Sequence, residues 1–445
     1  MRQSAVVRRS ARWALQATGA VLVCVLVLGA AVIYLNIRGE SDVAGNASLS
    51  SVNTAPVGQA SQIERGRYLA QVGNCAGCHT NTGGAPYAGG RALPTPFGTV
   101  YTDNLTSDPA TGIGDWSPAQ FWRAMHHGRA RDGRLLNPVF PYASYTHVTR
   151  DDSDAIYAFL RSLAPVVQAN RAHELRFPYN TQAALAVWRA LYFRAAEPVA
   201  ETRADGARTP QWMRGAYLAR GLGHCIECHS SRNALGAISG SLEFAGGAIP
   251  SQGWYAPSLA APDQAGVALW KRADVVSLLK TGQAPGASVS GPMAEVVYGS
   301  TQHWNEQDLQ AVAEFLQALP AGPAHQAPSA NAASTATLTQ GSKIYERECT
   351  GCHGPSGQGA PGVYPALAGN RAVTMAVTTN LVHIVRSGGF APATAGNPRP
   401  YGMPPFGHTL SDAEIALVLT FIRQSWGNRA APVTELEALQ QGRAN

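Results

Sequence analysis

The chain has 445 residues, too many for one ordinary core. It is 45% apolar with 46 glycines and 29 prolines, which fits several compact, loop-rich units and excludes a disordered or collagen-like polymer. Four of its six net positive charges come from Arg2, Arg8, Arg9 and Arg12 at the extreme N-terminus; without them +2 remains, which gives no reason to expect nucleic acid as a partner. Only Lys271, Lys280 and Lys343 are lysines, which argues against a diffusing carrier that docks through a lysine-rich face.

Directly after the basic end, Trp13 to Ile37 runs without a charge. That is enough to cross a bilayer, which takes about 20 apolar residues, and it is longer than the usual signal core of about 7–15. Residues 1–40 therefore read as a cytoplasmic basic end and a transmembrane anchor or signal, with the length favouring an uncleaved anchor. With the arginines held inside, the remainder lies on the periplasmic side of the inner membrane. Cys24, inside this segment, reads as a small buried hydrophobe.

Next come three copies of one pattern, over 58–165, 206–320 and 338–428. Each opens on a helical approach, "RGRYLAQVGNCAGCH", "RGAYLARGLGHCIECH" and "GSKIYERECTGCH". Cys-x-x-Cys-His is the signature of covalent haem attachment: two thiols on one turn meet the haem vinyls, and the following histidine is aimed at the iron. Cys75, Cys78, Cys225, Cys228, Cys349 and Cys352 are thus expected to carry three haem c groups, with His79, His229 and His353 as axial ligands to iron. Structural zinc would need a second cysteine or histidine pair nearby, and none follows.

Each copy then has a middle helix ending in glycine, at Gly128, Gly282 and Gly388, as a helix C-cap prefers. Its closing helix keeps one apolar face: Ile156, Phe159, Leu160 and Leu163 in the first copy, Leu309, Val312 and Leu316 in the second, Ile415, Val418, Leu419 and Ile422 in the third. Thr149 with Asp152, Asn305 with Asp308 and Ser411 with Glu414 have capping-box spacing at its start. The fold expected is mainly α, three tandem class I cytochrome c domains behind a transmembrane anchor. Between the units, 166–205 is a packed connector, 321–337 a Pro/Ala/Ser linker that leaves the third unit loosely tethered, and 429–445 a C-terminal tail.

A second strong ligand is sought in the loop between middle and closing helices, and Met293 and Met403 stand there. Met213 and Met375 lie elsewhere and are expected to pack. The first unit has Phe140 at that place, with Pro141 following it as Pro404 follows Met403. Phenylalanine cannot ligate iron. Haem 1 is then five-coordinate or takes Met125, His126, His127 or His147.

Residues 60–427 resemble the three-haem cytochrome c subunits of membrane-bound periplasmic dehydrogenases, the alcohol, gluconate and aldehyde group. The resemblance is carried by "TGIGDWSPAQFWRAMHHGRARDGRLLNPVFPY", "LRFPYN", "GWYAPSL", "GPMAEVVYGSTQHW" and "MPPFGHTLSDAEIALVLTFIRQSWGN". It implies electrons taken from a separate catalytic subunit of molybdopterin, pyrroloquinoline quinone or flavin type and passed to ubiquinone in the membrane. The alcohol type usually has methionine where Phe140 stands, and Gln182 and His408 replace residues often Arg and Trp. A phenylalanine at 140 looks more like cytochromes that accompany molybdopterin hydroxylases of aldehydes or N-heterocycles. A different class of function, a peroxidase-like haem enzyme, would use an open haem 1 with His126, His127 or His147 as distal acid or base. No dinucleotide fingerprint, flavin motif or iron–sulfur cysteine set is visible, so substrate chemistry belongs to another chain.

Overall fold

The computed structural model describes residues 2–38, 40, 56–196, 208–238, 240–322 and 332–442. The end of the expected connector (197–205), the opening of the second unit (206–207), the middle of the expected linker (323–331) and the last three residues of the tail lie outside the described residues.

The N-terminal helix Arg2–Ile37 contains an apolar stretch, Gln16–Ile37, of mean hydropathy 2.7, of which 6% is buried. The rest is built on one recurring contact. In each repeat an approach helix crosses a closing helix: Pro56–Val72 on Arg150–Ser162, Pro210–Tyr217 on Glu306–Gln317, and Thr335–Glu348 on Asp412–Arg423. The crossing is close because each approach helix presents a glycine to the partner backbone. A Cβ added at Gly66, Gly215 or Gly341 would collide with the carbonyl oxygen of Ala155, Ala311 or Leu417, and next with the Cβ of Phe159, Phe315 or Phe421. The expected apolar face of each closing helix is the one buried here, with Leu163 at its half-buried edge.

The closing helices start where the cap spacing places them. Thr149, Asn305 and Ser411 each accept a hydrogen bond from the backbone N–H three residues on, and Ser411 with Glu414 completes the reciprocal box. Asp152 and Asp308 do not complete it, because both are drawn into another contact. Asp152 accepts from Arg65 of its own approach helix at 2.5 Å and from the Tyr217 hydroxyl of the second unit at 2.6 Å. Asp308 accepts from Arg214 of its own approach helix at 2.8 Å and from the Tyr68 hydroxyl of the first unit at 2.6 Å. The first two units thus exchange tyrosines across a pseudo-two-fold contact, and a single apolar core runs through both.

The third unit has a core of its own. It docks on the second through Arg371, which donates to Gly266 O at 2.5 Å, through Asn380, which is paired with the backbone of Tyr255 at 2.7 and 2.8 Å, and through His383 packed on Trp254. Its approach helix already begins at Thr335, capped by Ser334, inside the stretch expected as linker.

Sheet is confined to short antiparallel pieces. The largest joins Ala92–Thr95, Gly98–Tyr101 and Glu174–Leu175, so the connector is stitched to the first unit through its own strand. The connector helix Gln182–Tyr192 adds a clasp, since the Gln182 amide accepts from Leu135 N at 2.7 Å and donates to Leu135 O at 3.2 Å.

In thermal unfolding of the full chain, Gly66→Ala and Gly341→Ala are expected to destabilise by about 1–3 kcal/mol or more, as overpacked sites do. Gly351→Ala, whose Cβ meets nothing within 4 Å, should leave the midpoint in place. Asp308 is 4% exposed. Burial alone would raise its carboxyl, but the hydrogen bonds from Arg214 and Tyr68 outweigh it and hold the group below the usual carboxylate range. A depressed carboxyl contributes stability above its unfolded value of about 3.9 and loses it as pH falls through the folded value. Asp308→Asn should therefore unfold more readily than the parent at pH 7, and the two denaturation curves should converge in acid; a constant gap down to acid would show that the carboxylate is not the source.

Candidate functional site

Each Cys-x-x-Cys-His sits on a short turn of helix immediately after its approach helix: Cys75–His79, Ile226–His229 and Thr350–His353. The approach has to break just before it. Asn74 and His224, one residue ahead of the first cysteine, take the left-handed conformation, with φ of 49° and 39°. In the second unit the approach helix also relaxes into a π turn over Leu218–Leu222. In all three units the first cysteine is half-buried, the second exposed, and no disulfide joins any of them. Burial, with the neighbouring cysteine adding to it, pushes the Cys75 and Cys225 thiols up to about 12; burial with Glu348 takes Cys349 to about 11.

The histidines share one more feature. The Nδ1 of His79 lies 2.7 Å from Asp103 O, that of His229 2.7 Å from Pro257 O, and that of His353 3.0 Å from Pro365 O. A carbonyl only accepts, so Nδ1 must carry the proton and Nε2 is left with its lone pair free. Burial lowers the affinity of all three rings for a second proton, which keeps Nε2 available. The three acceptors follow a tyrosine in "YTDNL", "YAPSL" and "YPAL", the same loop in each unit. A neutral imidazole oriented through its second nitrogen, one residue beyond two thiols on a single turn, fits haem c. Among the described residues no group of three or more histidine, cysteine or acidic side chains could hold a bare metal ion, so this donor set does not fit structural zinc.

Of the expected sixth ligands, Met293 heads the helix Pro292–Gly299 and Met403 closes the two-residue strand Gly402–Met403. Both are half-buried on stiff Gly/Pro segments. Met375 is buried, as a packing residue should be. Met213 is not: it is 43% exposed in the first turn of its helix, because its neighbour Trp212 takes the inward position against Phe315.

In the first unit, Phe140 packs on the core with its ring 5.4 Å from that of Tyr145. Tyr145 lies beside the attachment turn: its hydroxyl is 3.5 Å from Gly73 O, and burial reinforced by Cys75 and Cys78 drives its proton affinity well up. An aromatic pair thus stands next to this turn. The four alternative ligands lie on or beyond the middle helix Pro118–His127. Met125 is buried in the core with Phe121. His126 stacks on Trp122 at 4.3 Å and leaves its buried Nδ1 without a partner. His127 is buried, and the charges of Arg189, Arg129 and Arg123 add to burial in disfavouring its protonation; burial, with Arg220, lowers His147 too. Burial pushes His126 and His127 down to about 4, so both are neutral. Sequence reasoning had no signal for this histidine–arginine cluster beyond the adjacent pair "HH".

The geometry agrees with what related chains are. The cytochrome c family model matches residues 63–164 and 338–426. The cytochrome c subunit of alcohol dehydrogenase (quinone) from Gluconobacter oxydans is 36% identical over 393 residues, 85% of this chain and 81% of that one. The gluconate 2-dehydrogenase cytochrome c subunit of Pantoea cypripedii is 36% identical over 386 residues, 83% of this chain and 86% of that one. A nicotinate dehydrogenase subunit of Pseudomonas putida is 39% identical over 409 residues, 88% of this chain but 33% of that longer protein.

Proposed function

Because this chain belongs to the cytochrome c subunits of dehydrogenase complexes, we propose that it is their membrane-tethered, three-haem form, a relay that takes electrons from a separate catalytic subunit and delivers them to ubiquinone. The observation that carries the reading is the threefold recurrence of one arrangement: two cysteines on a turn, then a histidine whose Nδ1 is committed to a backbone carbonyl. Three units, 58–165, 206–320 and 338–428, each hold one haem through Cys75 and Cys78, Cys225 and Cys228, or Cys349 and Cys352. His79, His229 and His353 would be ligands to the iron, and Met293 and Met403 would supply a thioether in the second and third units. When bound, haem c supplies a one-electron iron couple, raised in potential by a thioether ligand.

The residues of the chain contribute orientation and exclusion. The carbonyls of Asp103, Pro257 and Pro365 hold each imidazole in one tautomer. The Gly–Phe helix crossings keep each attachment turn rigid, which limits the rearrangement that accompanies a change of charge. Phe140, in the ligand position of the first unit, supplies no thioether from that loop and would make haem 1 the unit of different potential. The apolar helix Gln16–Ile37 is the anchor, with the three units on the periplasmic side. Phe140, which resembles the cytochromes that accompany molybdopterin hydroxylases, favours a catalytic partner of the molybdopterin type over the quinoprotein type. The enzyme reading is the weaker one, because His126 is stacked on Trp122 and His127 is buried beside it, while Tyr145 lies beside the attachment turn of the first unit.

Intact-mass measurement of the purified full chain should show three haem additions, and the double variant Cys225→Ala/Cys228→Ala two; a parent carrying two would overturn the count. Met403→Ala should convert one of three irons to high spin in the ferric spectrum and lower one reduction potential, while Phe140→Met should remove a high-spin fraction present in the parent. Quinone reduction should appear with the co-purified catalytic subunit and be absent from the cytochrome alone.

A further inference from the structure

Resting on the anchored reading above, we propose that the chain touches the bilayer a second time: the outward face of the connector helix Gln182–Tyr192, with the turn 176–180 before it, lies in the headgroup layer beside the anchor. The anchor is not free to swivel. Asn36, in its last turn and 8% exposed, donates from Nδ2 to Ala186 O at 2.9 Å and accepts at Oδ1 from Arg189 Nε at 2.9 Å. Arg129 donates to Asn36 O at 3.1 Å and to Glu40 at 2.8 Å, and those two charged side chains are 16% and 18% exposed. A buried polar clamp thus fixes the connector helix against the end of the apolar span, where the bilayer gives way to water.

The connector helix buries Arg189 and Ala190 on its inner side. Outward it shows Val187, 48% exposed, and Leu191, 59% exposed, four residues apart on one face, with Tyr192 next to them. Phe177 in the preceding turn is 82% exposed, and Tyr179 is exposed too. Exposed Arg176 and Arg38 flank the patch. Apolar and aromatic side chains bordered by arginine at the level where a membrane helix ends are the composition of an interfacial contact with anionic lipid. The same patch on a freely tumbling protein would be a liability in water. Continuity with the clamped anchor selects lipid as its occupant.

The test uses full-length holoprotein carrying Cys24→Ser, reconstituted in phosphatidylcholine–phosphatidylglycerol vesicles, with a nitroxide at Val187→Cys, Leu191→Cys or Leu269→Cys, the last a residue 92% exposed on the second unit. Labels at 187 and 191 should relax faster with oxygen than with a water-soluble nickel complex, and the label at 269 should show the reverse. If 187 and 191 behave as 269 does while the protein resists carbonate extraction, the second contact is refuted and the anchor stands. Labels at 187 and 191 shielded from both relaxants would mean that a protein surface covers the patch, and would refute it equally. Release of the chain by carbonate would instead overturn the anchored reading.

Discussion

A bare glycine laid against a neighbouring carbonyl is the constraint on which the rest of the molecule depends. At Gly66, Gly215 and Gly341 two helices approach closer than any side chain permits, and the phenylalanine one turn further on, at 159, 315 or 421, closes the crossing. The attachment turn begins where the approach helix ends, so its position relative to the closing helix is inherited from that contact. The carbonyl that holds each histidine comes from a loop anchored to the same frame. The position of the Cys-x-x-Cys-His turn is therefore set by backbone against backbone, in an interior packed tightly enough to transmit strain.

The first two units are bound differently from the third. Tyr68 and Tyr217 reach into each other's unit and complete the buried aspartates there, and a continuous apolar core joins the pair. An aspartate with one arginine from its own unit and one hydroxyl from the next is fully satisfied only when the two units are together. The third unit has a closed core and leans on the second through backbone-directed arginine and asparagine contacts, and among the described residues no tyrosine–aspartate exchange of that kind joins them.

Much of this was legible in the residues. The three repeats, the buried faces of the closing helices, their caps and the glycine ends of the middle helices all follow from period and cap chemistry, which are local properties. What escaped was non-local. Asp152 and Asp308 have capping spacing, yet the shorter aspartate side chain is taken by arginine and tyrosine partners far away in sequence; the repeated Arg-Gly-x-Tyr at 65–68 and 214–217 was the only trace of it. Met213 reads as an inward residue, but Trp212 competes for the same space with a larger apolar surface. The strand at 174–175 and the Gln182 clasp on Leu135 depend on register with a distant segment, which no window along the chain reveals. At the first attachment turn the sequence placed Phe140 where the other units have methionine, while its neighbour Tyr145 emerged only from packing.

The reciprocal tyrosines carry an implication about assembly and damage. An isologous contact, in which the same patch meets itself, is what two separate copies of one protein form when they associate as a homodimer. Here the same kind of contact joins two units of one polypeptide, which differ elsewhere, as at Phe140 and Met293. At the seam, a change to Tyr68 leaves Asp308 short of a donor and a change to Tyr217 does the same to Asp152, so damage to either unit is felt in the other.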